Sequence, residues 1–143
     1  MMESALIRVI SNSVLSKTVS DTIDTLYTLK NSSIDTLSVL ESLDITVKLE
    51  IIHAFLSENY SEMDKSVPQS HTINLVIKHI NNKIQDINEI LRNLSEAMKE
   101  YENSSYLMSG QSTLKKQQCL DRLSVHVSVL DERFSVLLKL ARI

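Results

Sequence analysis

A chain of 143 residues with one glycine, one proline and one cysteine lacks the turn residues that an all-β fold consumes and the thiols for an internal disulfide. Its formal net charge of −3 and pI of about 5.8 give no global reason to expect nucleic-acid binding. No apolar run reaches the roughly 18 residues of a spanning helix, and Met1-Met2-Glu3, with Arg8 inside the first apolar stretch, does not read as a secretory signal. The expectation is one all-α domain over residues 1–143, intracellular and cytoplasmic, with no cofactor. The surplus of Ile, Asn and Lys over Gly, Pro, Ala and Arg points to an AT-rich genome, such as that of a large DNA virus or a eukaryotic microbe.

The first helix is expected from about Glu3 to Lys30. Leu6, Val9 and Ile10 form an early apolar stripe, and Val19, Ile23, Leu26 and Leu29 a later one. The two are rotated relative to each other across Ser11-Asn12-Ser13 and Ser16-Lys17-Thr18, whose side chains compete for backbone hydrogen bonds. A kink or break is predicted there. Asn31-Ser32-Ser33 then reads as a helix stop followed by an N-cap, with Asp35 well placed in the next first turn.

The second helix is expected from Ile34 to about Asn59, with a break at Ser42-Leu43-Asp44 as the alternative. It carries two apolar stripes on nearly opposite sides. Leu37, Leu40, Leu43, Val47, Ile51 and Ala54 make one, and Ile45, Leu49, Ile52 and Leu56 the other. Only Thr46, Glu50, His53 and Ser57 make a continuous polar face. Either this is the most buried helix of the protein, or part of its apolar arc binds something else.

Ser61 to Gln69, containing Pro68, reads as a loop, and Ser70 as the cap of a third helix ending near Glu102. Ile73, Ile77, Ile80, Ile84, Ile87, Leu91, Leu94, Met98 and Tyr101 follow one another in alternating steps of four and three, which keeps one helix seam turned toward a partner. Val76, Ile90 and Ala97 widen that seam. On the other flank stand Asn74, Asn81, Asn88 and Ser95, where a neutral boundary with solvent is favoured over interhelical hydrogen bonds or contact with another copy. After a loop from Asn103 to Ser112, the fourth helix (about Thr113 to Arg142) repeats the pattern with Leu120, Leu123, Val127, Leu130, Phe134, Leu137 and Ala141. Matching seams predict an antiparallel hairpin. With the first two helices it becomes an up-down-up-down four-helix bundle.

Val125, Val129, Val136, Leu140 and Ile143 lie off the fourth helix's main seam. Together with Ile45, Leu49, Ile52 and Leu56, and with the loop apex Tyr106-Leu107-Met108, they are the candidate interaction surface. The expected partner is a protein or a second copy of the chain.

No catalytic or metal site is expected. Glu50-Ile51-Ile52-His53 has the Glu-x-x-His spacing of di-iron bundles, but such sites need a second copy and this chain has none. His71, His79 and His126 do not converge on a zinc pattern, and Cys119 has no neighbouring His that would mark a reactive thiolate. One glycine cannot build a phosphate loop.

The leading expectation is a non-enzymatic interaction, oligomerisation or assembly module. Over about half the chain, the seam helix, the apolar loop tip and the second seam helix resemble in architecture the membrane-acting four-helix bundles of necroptotic pseudokinases and fungal HeLo-type proteins. That resemblance implies membrane contact, which the lack of clustered basic residues disfavours. A viral Bcl-2-like decoy, built around one fully apolar central helix, is a further alternative that the second helix could serve.

Overall fold

The computed structural model describes residues 2–59, 71–103 and 109–141, with side chains described for 15–59, 71–100 and 113–141. Its elements are α1 (Met2–Thr28), α2 (Ile34–Leu43), α3 (Ile45–Asn59), α4 (His71–Asn103) and α5 (Ser109–Ala141). The fold is all-helical, with no strand among the described residues. Because α2 and α3 form one bent arm, there are four arms.

No break interrupts α1. Just beyond the stretch where a break was expected, Thr22 Oγ1 donates to the Thr18 carbonyl at 2.7 Å. This i to i−4 back-bond lets a threonine sit inside a helix. The turn after α1 follows the sequence closely. Ser33 is the N-cap of α2, its Oγ accepting from the Thr36 amide at 3.4 Å, and Asp35 lies in the first turn. Gly110 lies within the first turns of α5, not in the preceding loop as expected.

α4 packs most extensively against α5 and next against α1; α1 also meets α3, and α2 meets α5. Ile77, Ile80, Ile84, Ile87, Leu91 and Leu94 are all at most 2 % exposed, so the middle of the 4-3 seam is the core of the molecule. Ile73 and Met98 pack against it from either end; the Tyr101 side chain lies outside the described residues. From α5, Leu120, Leu123, Val127, Leu130 and Leu137 are buried against this seam, with Phe134 half-buried.

Cross-helix pairs fix the order of contacts. Along α4 and α5 they are Glu100 with Lys115, Lys83 with His126, and the His79 carbonyl with Arg133; numbers fall on one helix as they rise on the other. Thr25 with Asn88 and Ser32 with Met98 rise together on the first arm and α4. Lys48 with Asp131 and Phe55 with Phe134 rise together on α3 and α5.

The asparagine flank of α4 is not a solvent boundary. Asn74, Asn81 and Asn88 are buried, and the Thr25 hydroxyl donates to Asn88 Oδ1 at 2.7 Å across the α1–α4 contact. Thr18 and Thr22 are buried on the α1 side. This side of the core is therefore polar. A buried hydrogen bond of this kind contributes only about 0.5–1.5 kcal/mol, but it fixes which residues face each other.

The second arm turns at Asp44, whose φ of 53° and ψ of 41° are left-handed. Its amide donates to the Glu41 carbonyl, closing α2, and its carbonyl accepts from the Lys48 amide, opening α3, both at 3.1 Å. Thr36 and Leu40 are the buried positions of α2, whereas Ile45, Leu49, Ile52 and Leu56 are those of α3. At about 100° per residue, a straight helix would bring Val47, Ile51 and Ala54 under Thr36 and Leu40 instead. One left-handed residue thus rotates the chain by roughly half a turn and exchanges the stripe that faces inward. It costs about 1–2 kcal/mol in an L-residue. Each Ile or Leu side chain it turns inward contributes about 1.5–3 kcal/mol on burial, so the bend wins.

Asp44 tests this balance directly. Asp44→Gly removes the Cβ conflict, and urea unfolding is expected to show it neutral to about 1 kcal/mol more stable. Asp44→Val, β-branched at a positive φ, is expected to lose more than about 1 kcal/mol in the same assay.

Candidate functional site

Among the described residues, the outer faces of α3 and α5 expose apolar side chains, and grooves open between the helices. On α3 the expected surface residues Ile45, Leu49, Ile52 and Leu56 lie inside, none more than 2 % exposed. They are core because the turn at Asp44 directs them there. Their counterparts on the opposite stripe are left outside, with Val47 44 % and Ile51 53 % exposed and Ala54 exposed beside them. The sequence contained both stripes, but only a left-handed residue at the junction determines which one faces water.

On α5 the expected residues are outward. Val125 is 63 % and Val136 46 % exposed, while Val129 and Leu140 are half-buried. Tyr106, Leu107 and Met108 lie outside the described residues, as does Ile143.

The charged groups around these faces differ. Asp44, Glu50 and Glu58 are exposed on the outer side of α3. The helix's one lysine, Lys48, is drawn aside to Asp131 at 2.9 Å. Around the α5 valines stand Arg122, Arg133 and Lys139, with Asp121 and Glu132 among them. Arg133 also donates to the His79 carbonyl at 2.9 Å, which ties it to α4.

One groove of about 510 Å3 between α4 and α5 is lined by Glu96, Glu100, Lys115, Cys119 and Arg122 among others. Burial pushes the Cys119 thiol above its ordinary pKa, against the opposing pull of Arg122, so it is a poor nucleophile at neutral pH. Another groove, of about 370 Å3, is lined by Leu29, Leu40 and Ile45 together with Lys30 and Glu41. Of the Glu-x-x-His residues, Glu50 is exposed and His53 hydrogen-bonds Ser16 at 3.1 Å. No group of three or more His, Cys, Asp or Glu among the described residues could hold a metal ion. No helix of the described residues is long and apolar enough to cross a membrane.

A cluster the sequence did not flag joins α4 to α5. Lys83 Nζ lies 3.0 Å from His126 Nδ1 and 3.2 Å from Asp86 Oδ2. The i, i+3 pair Lys83–Asp86 was visible in the sequence; its meeting with His126 depends on helix register. Burial, then the Lys83 charge, hold the His126 pKa below its ordinary 6.5, with Asp86 opposing and Arg122 and Arg133 adding to the fall. Neutral His126 accepts at Nδ1 from the lysine.

Unfolded chain therefore binds the His126 proton more readily than folded chain. The stability this residue confers is complete above pH 6.5 and is lost as pH falls from there toward its lower folded value. Urea unfolding of wild type and His126→Gln between about pH 7.5 and 5.5 should show the steeper acid loss in wild type. A second contrast separates core from surface on α3: Ile52→Ala is expected to cost about 2–5 kcal/mol and Ile51→Gln to stay within about 0.5 kcal/mol in the same unfolding assay. No protein-family model matches this chain, and comparison with curated proteins and with solved structures gives no significant match.

Proposed function

We propose that this protein is a non-enzymatic helical-bundle module that acts through protein–protein interaction, with self-association as its first form. In this reading the four arms make an antiparallel up-down-up-down bundle, and the seams of α4 and α5 are its heptad-patterned scaffold. What supports the architecture is the order of cross-helix pairs, falling against rising between α4 and α5 and rising together between α3 and α5.

The observation that carries the functional reading is the apolar surface left after the core is complete. Val47 and Ile51 on α3, and Val125 and Val136 on α5, are each more than two-fifths exposed. Helices that face solvent ordinarily keep a polar outer side, and clustered exposed apolar side chains mark contact surfaces. The polar rims of these stripes make them suited to reversible contact with a folded partner, which protein interfaces combine in the same way.

Light scattering of the full chain tests this. An average mass above 16.2 kDa that rises with concentration is the expected result, across a range of about 1–100 µM suited to weak complexes. A mass that stays at the monomer value throughout would remove self-association from the reading.

A further inference from the structure

The two outward stripes differ in a way that makes them fit each other better than either fits itself. The α3 stripe, Val47, Ile51 and Ala54, runs at i, i+4 and i+7. Asp44, Glu50 and Glu58 flank it, and none of the three forms an ion pair among the described residues. The α5 stripe starts with the same step, Val125 to Val129, and continues with Val136 and Leu140. Its flanks carry Arg122, Arg133 and Lys139 against Asp121 and Glu132, a cationic balance. Two α3 stripes laid together would oppose acid to acid, which is unfavourable. An α3 stripe laid on an α5 stripe sets its acids against a rim on which bases outnumber acids, while pairing valine and isoleucine side chains of similar size.

Within one molecule these stripes cannot meet. α3 and α5 are neighbours held by Lys48–Asp131 and Phe55–Phe134, and both stripes lie on the sides turned away from the core. We propose that the outer face of α3 on one copy docks on the outer face of α5 on the next, a head-to-tail contact between copies of this chain. This rests on the interaction reading above and names the partner and the geometry. Such a contact is heterologous, so it grows into rings or open chains and does not stop at a two-fold dimer. One helix ridge on another buries less than the roughly 1,200 Å2 of a stable interface, so the assembly is weak and reversible. Its charged rims make it weaken as salt is raised.

Sedimentation velocity on the full chain and two variants decides the matter. One variant disables the α3 face (Val47→Gln with Ile51→Gln), the other the α5 face (Val125→Gln with Val136→Gln). Wild type is expected to pass beyond dimer at concentrations of about 100 µM and above, and to lose about five-fold in association constant between about 50 and 500 mM salt. Each variant alone should be monomeric. Their equal mixture should form a one-to-one dimer and nothing larger, because one intact face of each kind remains. Glu50→Lys with Glu58→Lys supplies an α3-face variant changed only in charge, and it should behave as the first. All these side chains are exposed, so thermal melts matching wild type confirm that folding is kept. An α5-face variant that still dimerises alone makes the contact isologous; the head-to-tail geometry is then wrong while the interaction reading stands. A wild type that is monomeric throughout overturns the head-to-tail contact and removes self-association from the interaction reading.

Discussion

Everything in this fold depends on α4 burying two flanks at once. Its isoleucine seam is as dry as any part of the protein, with Ile80, Ile84 and Ile87 fully inaccessible. A helix in that position must satisfy a neighbour on each side. It does so with different chemistry: Ile90 and Ala97 widen the apolar seam, while Asn74, Asn81 and Asn88 are buried polar residues, and Asn88 accepts from Thr25 of α1. An apolar contact tolerates sliding, because burial is not directional. Asparagine facing threonine does not, since a displaced amide would be buried without its partner. Asn81 Oδ1 already has no hydrogen-bond partner among the described residues, which marks the limit of what this polar side can satisfy. The Thr25–Asn88 hydrogen bond thus adds a directional constraint to the packing of α1 on α4, as the Lys83–His126 and Arg133–His79 contacts do to that of α5.

The readable parts of the sequence were those governed by one local rule. The 4-3 spacing from Ile73 onward located α4 and its core, and the same spacing located the core of α5. Ser33 announced itself as a cap by residue type and position. What could not be read locally was any choice settled by a neighbour. The asparagines at seven-residue spacing favoured a solvent boundary over a polar contact; their burial, and Thr25 on another helix, decided for the contact. The hydroxyl-rich stretch of α1 suggested a break, but the helix runs unbroken from Met2 to Thr28. On the second arm both apolar stripes were legible and the break near residue 43 was one of two readings. Which stripe is inside followed from one backbone angle at Asp44, which no periodicity encodes.

The surplus apolar surface has the same origin. A helix with a single stripe would have nothing left to expose. This arm carries one stripe in the phase of α2 and another in the phase of α3, and each is used over only half its length. Val47 and Ile51 are the unused continuation of the stripe that Leu40 begins. The exposed residues of α5 have no such account, since the helix is unbroken through its length and its seam is already filled. Residues in excess of what the core requires are where contact with another molecule is most economically sought.

The left-handed residue at Asp44 also has a consequence for how kinship would be detected. A change of two residues in the length of a straight helix shifts its phase by about 200°, close to what this single residue achieves at constant length. A homologue with a straight second arm would therefore keep the same core only by gaining or losing two residues near position 44, or by exchanging the apolar and polar letters after it. Aligned to this chain, it would show a gap in mid-helix, where insertions are ordinarily penalised, and a pairing of buried with exposed positions if the gap were refused. Divergence on this arm would look like unrelatedness while the four arms stayed in place.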